Sequence, residues 1–371
     1  MNPIPLVDLS LQHAPIKDQL QLAFETCWQE NSFIGGADIK AFEDAFAQYL
    51  GGGHVSSCAS GTDALSLALM DVLGPSSGGD EIITPSLTFA ATAEAIISAG
   101  YKPVFVDIDP STCLMDLSHV ANSITHNTRC ILPVHLYGQM VDMETLNRIT
   151  KNRSIKIVED AAQAHGALWN GKPPSTLSNA SCYSFFPSKN LGAFGDGGAV
   201  HSFDENLSDR IKRRGNHGRQ DKFVHETVGT NSRLDALQAA ILNIKLEHLP
   251  RWNRERRAAA KYYSQLLRDV DEVSILHVPG KAHHVYHLYV IRLKNRDEIK
   301  EKMRRKGIEV GVHYPIPLHS QPAFRVYADQ KTSLAETEKA CDEIMSLPIY
   351  PGITHEQIEY ITDTLKELVH A

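Results

Sequence analysis

No apolar run in this chain approaches the ~20 residues that a membrane-spanning helix needs, so no helical membrane protein is expected. The opening segment, Met1 to Ser10, lacks the basic start and apolar core of a secretory signal, and a cytoplasmic protein is the expectation. Basic residues are outnumbered: 37 Lys and Arg stand against 44 Asp and Glu, for a formal net charge of −7. That balance favours solubility and gives no general attraction to nucleic acid. The one basic cluster, Arg251 to Arg257 around Trp252, reads as a solvated helix face. Cysteine is sparse as well. The six residues sit at 27, 58, 113, 130, 182 and 341, no two form a CxxC pair, and neither a metal site nor a dithiol is expected. Buried free thiols in a reducing compartment fit that spacing. Internal repeats, low-complexity segments and long linkers are also missing.

What is present is a chain of 371 residues, enough for two domains at ~100–200 residues each and for a sizeable core. Short apolar runs alternate with helical spacing. Ile16 to Trp28, Ile39 to Leu50, Thr62 to Leu73, Ala90 to Ala99 and Met143 to Lys151 read as helices. Glu81 to Thr84, Pro103 to Val106, Cys130 to His135 and Ile155 to Glu159 read as buried strands. This rhythm predicts an α/β fold with a mixed, mostly parallel sheet between helices. After Pro250 the pattern changes. A long helix is expected from about Arg251 to Leu267, then a strand over Tyr286 to Leu293, a helix near Asp297 to Lys306, a turn-rich stretch from His313 to Pro322 and a helical tail from His355 to Val369. The expected division is a large domain over 1–250, with an N-terminal strap over 1–12, and a smaller α+β domain over 251–371.

Ligands of open parallel sheets bind beyond the carboxyl ends of the strands. Asp160 follows one such strand, and an acid there can pair with a protonated pyridine nitrogen. Gln163 lies three residues on, within reach of the same ligand. Ser60-Gly61-Thr62-Asp63 opens a helix whose first N–H groups can hold a phosphate. Lys189 stands between the aromatic run Ser184-Phe185-Phe186-Pro187-Ser188 and the glycine-rich Gly192 to Gly198. A lysine held away from water can shed its proton and form an imine with an aldehyde, and Ser184 can donate to a phosphate. Each feature alone also fits a bland role: an N-cap, an ion pair, a surface lysine. Their combination points to pyridoxal 5'-phosphate (PLP).

These stretches resemble the DegT/DnrJ/EryC1/StrS sugar aminotransferases, which have the type I PLP-dependent transferase fold of the aspartate aminotransferase kind. The resemblance runs through Ala59 to Leu65, Thr84 to Phe89, Val106 to Asp109, Pro133 to Gln139, Glu159 to Gly166, the Lys189 segment and Asn231 to Ala240. It implies that Lys189 holds the cofactor as a Schiff base and that Asp160 partners the pyridine nitrogen. Gln163 and Ser184 contact the cofactor, Gly61 and Thr62 supply phosphate amides, and Phe89 packs on the ring. Asn231 resembles a residue that reaches the phosphate of the neighbouring subunit, which implies a homodimer with shared active sites. Some relatives carry histidine in place of the lysine and dehydrate their sugar; Lys189 favours amino transfer.

The implied reaction has two halves. L-Glutamate gives its amine to PLP, leaving pyridoxamine 5'-phosphate and 2-oxoglutarate, and a nucleotide-linked keto sugar then takes the amine. The stiff segment His313-Tyr314-Pro315-Ile316-Pro317-Leu318-His319 looks like that of relatives acting on nucleotide-linked 3-keto sugars. By that likeness His313, Tyr314, His319 and Arg233 are candidate substrate contacts; Tyr183, beside Ser184, is a further candidate that could face either the core or the sugar. A dTDP-3-keto-6-deoxyhexose is the expected acceptor, in lipopolysaccharide O-antigen or other glycan biosynthesis. The alternatives are a 4-keto sugar or aminocyclitol aminotransferase, a PLP-dependent sugar dehydratase, and a non-enzymatic sensor of PLP or a nucleotide sugar.

Overall fold

The computed structural model describes residues 3–328 and 333–370. Strands β1 (His54–Cys58), β2 (Glu81–Pro85), β3 (Lys102–Val106), β4 (Thr128–Ile131) and β5 (Lys156–Asp160) are followed by β6 (Leu168–Trp169), β7 (Ala180–Ser184) and β8 (Gly198–Ser202). Helices α1 (Ser10–His13), α2 (Lys17–Glu30), α3 (Ala37–Tyr49), α4 (Gly61–Leu73), α5 (Ala90–Ser98), α6 (Leu117–Ser123), α7 (Met143–Thr150) and α8 (Glu205–Gly215) lie among them. The main sheet runs β1-β8-β7-β5-β4-β2-β3. Only β8 is antiparallel to its neighbours.

Successive residues of a strand point to opposite faces, and both faces here are covered. Ile83, Ile157, Tyr183 and Ala199 enter one core with Phe42 and Phe46 of α3. Their neighbours Ile82, Val158, Cys182 and Val200 enter the other, with Leu65 and Leu69 of α4 and Leu207 and Ile211 of α8. The result is an α/β/α sandwich. The strands β1, β7 and β8 and helix α8 carry no expectation from the sequence analysis. Their strands are five residues each and contain Ser, His or Gly, so their apolar signal is weak.

The long helix differs from its expectation. α9 runs from Ala236 to Leu267 and passes through Pro250 without a break. Proline removes one helical hydrogen bond, but packing on both sides of it outweighs that loss. Ala239, Leu242, Leu246 and Leu249 lie in the main core. Ala259, Ala260, Tyr263 and Leu267 lie in a separate C-terminal core. The boundary expected near Pro250 thus falls inside one helix, where its packing passes from one core to the other; as a domain division it stands as our proposal.

The rest of the chain adds β9 (Ser274–Ile275), β10 (Ala282–His283), β11 (Tyr289–Arg292), α10 (Arg296–Arg305), α11 (Ala335–Glu343), β12 (Ile344–Leu347) and α12 (His355–Val369). The small sheet is ordered β12-β11-β9, and β10 pairs with β6. Residues 1 and 2 of the expected strap lie outside the described residues. Ile4 is fixed to the C-terminal unit: its N–H donates to the Gly307 carbonyl at 2.8 Å and its carbonyl accepts from Glu309 N–H at 2.9 Å. Among the described residues no helix is long and apolar enough to cross a membrane.

Candidate active site

At the carboxyl ends of the parallel strands lies a pocket of about 390 Å³. Sheet register builds it. Cys58 of β1 and Ser184 of β7 both oppose Gly198 of β8, and Asp160 of β5 opposes Cys182. The starts of α4 and the Lys189 loop are therefore delivered to one edge beside Asp160. Helix α4 opens with Ser60 as N-cap, its hydroxyl accepting from Asp63 N–H at 3.1 Å. A Cβ on Gly61 would stand 2.6 Å from that of Ser184, so only glycine lets the helix start approach this close.

Asp160 is buried, with 6% of its surface exposed. Its main chain is held on both sides, by the Pro133 carbonyl and the His135 N–H at 2.9 Å each. Thr92 donates to one carboxylate oxygen at 2.9 Å and Ala162 N–H to the other at 3.1 Å. Thr92 is in turn bonded to Thr88 at 2.8 Å. Burial raises the Asp160 pKa, although these donors and the Lys189 charge pull the other way. Behind it, buried Glu159 accepts from His135 at 2.6 Å and from Ser175 N–H at 2.6 Å, which fixes the strand end.

Lys189 projects into the pocket from a turn closed by its own N–H on the Phe186 carbonyl at 2.9 Å. Its side chain opens to the cavity, yet the surrounding protein strips enough water to lower its pKa to about 8, with Asp160 opposing the shift. Gln163 accepts from Tyr137 N–H at 2.6 Å and donates to the Tyr314 hydroxyl at 3.4 Å. Tyr314 packs against Phe89, ring centroids 5.7 Å apart, and Phe89 stands at the mouth with 56% of its surface exposed. His313 is tied to Ser346 through Nδ1 at 2.8 Å, and its carbonyl accepts from the Tyr137 hydroxyl at 2.5 Å. Burial lowers the His313 pKa to about 4, so its ring is neutral near pH 7.

Gly61, Thr62, Phe89, Asp160, Gln163, Ser184, Lys189, His313 and Tyr314 all line this pocket. Four expected site residues do not. Tyr183 is a correction: it is fully buried on the α3 side of the sheet, edge-on to Phe46 at 5.1 Å, because strand alternation turns it away from the pocket. His319 is another. Its Nδ1 meets the Ser86 hydroxyl at 2.7 Å and its Nε2 meets Glu338 at 3.1 Å, so both ring nitrogens tether the chain to itself. Arg233 donates to Asn216 at 3.2 Å, and Asn231 is exposed, both outside their own chain's pocket. Sequence reasoning missed Thr88, Ser188, Asp196 and His287 in the lining, and Thr92 behind Asp160. Thr88 and Thr92 stand four residues apart at the start of α5, Ser188 adjoins Lys189, and Asp196 lies in the glycine-rich stretch; only His287 has no local signal. A larger cleft of about 740 Å³, between α10 and the end of α12, contains none of the expected residues.

PLP fits the pocket on observations from the chain alone. Asp160 keeps a buried carboxyl whose raised pKa a ring cation would relieve. The start of a 13-residue helix faces the cavity at Gly61 and Thr62, where the dipole favours a phosphate. The Lys189 amine has no carboxylate at ion-pair distance among the described residues and is easily deprotonated.

The DegT/DnrJ/EryC1/StrS aminotransferase family profile matches residues 15–366. A pleiotropic regulatory protein of Geobacillus stearothermophilus is 42% identical over 368 residues, covering 98% of both chains. A UDP-2-acetamido-2-deoxy-3-oxo-D-glucuronate aminotransferase of Pseudomonas aeruginosa is 40% identical, covering 98% of this chain and 99% of its own. A dTDP-3-amino-3,4,6-trideoxy-α-D-glucose transaminase of Streptomyces venezuelae is 37% identical, covering 98% and 96%. The crystal structure of S. venezuelae DesV in complex with a ketimine intermediate superposes with a TM-score of 0.97 at 36% identity, over 100% of both chains. The chain therefore belongs to the DegT/DnrJ/EryC1/StrS aminotransferase family, and is a PLP-dependent aminotransferase of the type I fold.

Proposed function

We propose that this enzyme moves the amino group of L-glutamate to the keto carbon of a nucleotide-linked 3-keto sugar, with a dTDP-3-keto-6-deoxyhexose as the first candidate. The observation that carries the reading is the joining of His313 and Tyr314 to the Lys189–Asp160 pocket. Relatives named for UDP-linked and for dTDP-linked sugars both bear the nitrogen or oxo group at position 3, which supports the sugar position more strongly than the nucleotide.

When bound, PLP supplies an electron sink for the carbon that loses its proton. The Asp160 carboxylate holds a proton on the ring nitrogen, and Thr92 and the Ala162 N–H hold that carboxylate in place. Gly61 and Thr62 grip the phosphate at the start of α4, with Ser184 beside them. Lys189, with a pKa of about 8, is a base that can take a proton and return it near neutral pH. Phe89 covers the mouth against water. Neutral His313 and the Tyr314 hydroxyl orient the sugar as hydrogen-bonding groups without adding charge.

The exposed position of Asn231 supports a homodimer in which Asn231, with Arg233 two residues on, serves the partner's site. Mixing Lys189→Ala chains with Asn231→Asp chains tests this. A shared site recovers about a quarter of wild-type activity, whereas a site built from one chain recovers none.

The substrate reading is tested by offering L-glutamate with dTDP-, UDP- and GDP-linked keto sugars and identifying the product. A 3-amino sugar is expected. A 4-amino sugar, an aminocyclitol or a deoxygenated product would replace this reading, and cofactor absorbance without turnover on any acceptor would point to a sensor.

A further inference from the structure

Tyr137 lies behind the pocket wall, 2% exposed, and holds two parts of that wall through two different groups. Its main-chain N–H donates to Gln163 Oε1 at 2.6 Å. An N–H only donates, so the Gln163 amide is held with its oxygen on Tyr137 and its NH₂ on Tyr314, at 3.4 Å. The Tyr314 oxygen is therefore the acceptor in that contact, and its hydrogen is left for a ligand. At the far end of the same residue, the Tyr137 hydroxyl donates to the His313 carbonyl at 2.5 Å. The backbone that carries both groups is fixed. It sits at φ 62° and ψ 0°, the left-handed region that a bulky side chain seldom adopts, and its carbonyl accepts from Leu288 N–H at 3.3 Å. The Gly138 carbonyl accepts from Val285 N–H at 3.0 Å, and a Cβ on Gly138 would stand 2.8 Å from the Val285 side chain.

The segment that the hydroxyl holds has few other anchors. On one side Gly311 bonds Ser346 through its N–H at 3.0 Å and its carbonyl at 2.8 Å. On the other, Leu318 N–H donates to the Ser86 carbonyl at 3.0 Å. Over residues 312–316 the Tyr137 hydroxyl is the only hydrogen-bonding partner of the main chain among the described residues. Pro315 has no N–H with which to add another. His313 and Tyr314 lie in this span, and both line the pocket. Their side chains are tied separately, His313 Nδ1 to Ser346 at 2.8 Å and the Tyr314 hydroxyl to Gln163.

We propose that Tyr137 is a positioning residue for the sugar half of the reaction: its hydroxyl sets the place of His313 and Tyr314 against the side of the pocket that its own N–H fixes through Gln163. This holds on the reading that His313 and Tyr314 contact the sugar. One residue bonded to both walls gives them a fixed separation. A keto carbon reacts only when held about 3–3.5 Å from its nucleophile, so a wall that drifts would cost rate as well as affinity.

The test uses the full chain with its cofactor and the variant Tyr137→Phe, which removes the hydroxyl and keeps the N–H on Gln163. Hydrogen exchange read by mass spectrometry needs no sugar. The amides of His313, Tyr314 and Ile316 should exchange about three- to tenfold faster in the variant, the scale of one hydrogen bond, while those of α4 and β5 keep their wild-type rates. Unchanged exchange over this span overturns the anchor. Single-turnover spectra then separate the two halves. Conversion of the PLP form by L-glutamate should change by less than about twofold, because Gln163 keeps its partner. The half-saturating concentration of a dTDP-3-keto-6-deoxyhexose for the pyridoxamine form, with a UDP-linked 3-keto sugar as second probe, should rise about three- to tenfold. Joined to Tyr314→Phe, the variant should lose less than the product of the two single losses, because both act through one segment. Equal damage to both halves, loss in neither, or fully multiplicative losses count against the proposal. Faster exchange with no keto sugar accepted by the wild type means that the sugar reading has failed; the assignment to the sugar half then falls with it, while the anchor stands.

Discussion

Two lysines in this chain share one electrostatic signature and differ in everything else. Burial lowers the amine of Lys189 and that of Lys245 to about 8 alike. Lys245, on α9, is 2% exposed and fully engaged. It donates to the Gly192 carbonyl, lies 3.2 Å from His13 Nε2, and sits over the Phe194 ring with its nitrogen 5.4 Å from the centroid. Lys189 points into an open pocket with a buried carboxylate opposite. A perturbed lysine is thus no mark of chemistry by itself. What sets Lys189 apart is an unspent hydrogen-bonding capacity facing a cavity, with an acid lining the same pocket. Lys245 has a different part: it pins the end of the loop that presents Lys189.

Replacing the two lysines is expected to separate them most sharply. Lys189→Arg should lose at least about 10³-fold in turnover, since on the proposed reading it removes both the imine-forming amine and the proton carrier. Lys245→Met should lose less than about tenfold, because the bond from Lys189 N–H to the Phe186 carbonyl still closes the turn. Comparable losses in steady-state assays would erase the distinction.

Asp160 is the element that Lys245 lacks, and Asp160→Asn is next in size. A neutral amide cannot hold a proton on the ring nitrogen, so turnover should fall by about 10²-fold or more while PLP still binds. Cofactor absorbance with near-normal rates would remove the acid from the account.

The smallest effect is in stability against pH. The folded Lys245 value of about 8 lies below the 10.5 of a free lysine, so the unfolded chain binds more protons between those values. Stability then rises with pH across that window, and the wild type should gain about 2–4 °C in Tm over Lys245→Met between pH 8 and pH 10. A gap that stays flat, or narrows, means that burial does not lower the Lys245 pKa.

Much of the site was legible because its chemistry is local. Gly61-Thr62, Asp160 with Gln163, and Ser184 to Lys189 each announce themselves within a few residues, and the strand–helix rhythm brings their ends to one edge of a sheet. What escaped was set by distant partners or by parity. Tyr183 is next to a true lining residue, and only the register of β7 decides which of the two faces the pocket. His319 is claimed by Ser86, 233 positions away, and His287 is held by Asn190, 97 positions away. Pro250 looked like a break, yet two cores gripping the two halves of α9 carry the helix through it.

The most direct test of the central claim is borohydride reduction of the purified holoenzyme, followed by mapping of the peptide that retains the cofactor. One labelled peptide, containing Lys189, is expected. A label on the peptide containing Lys245, or on any peptide without Lys189, would contradict it.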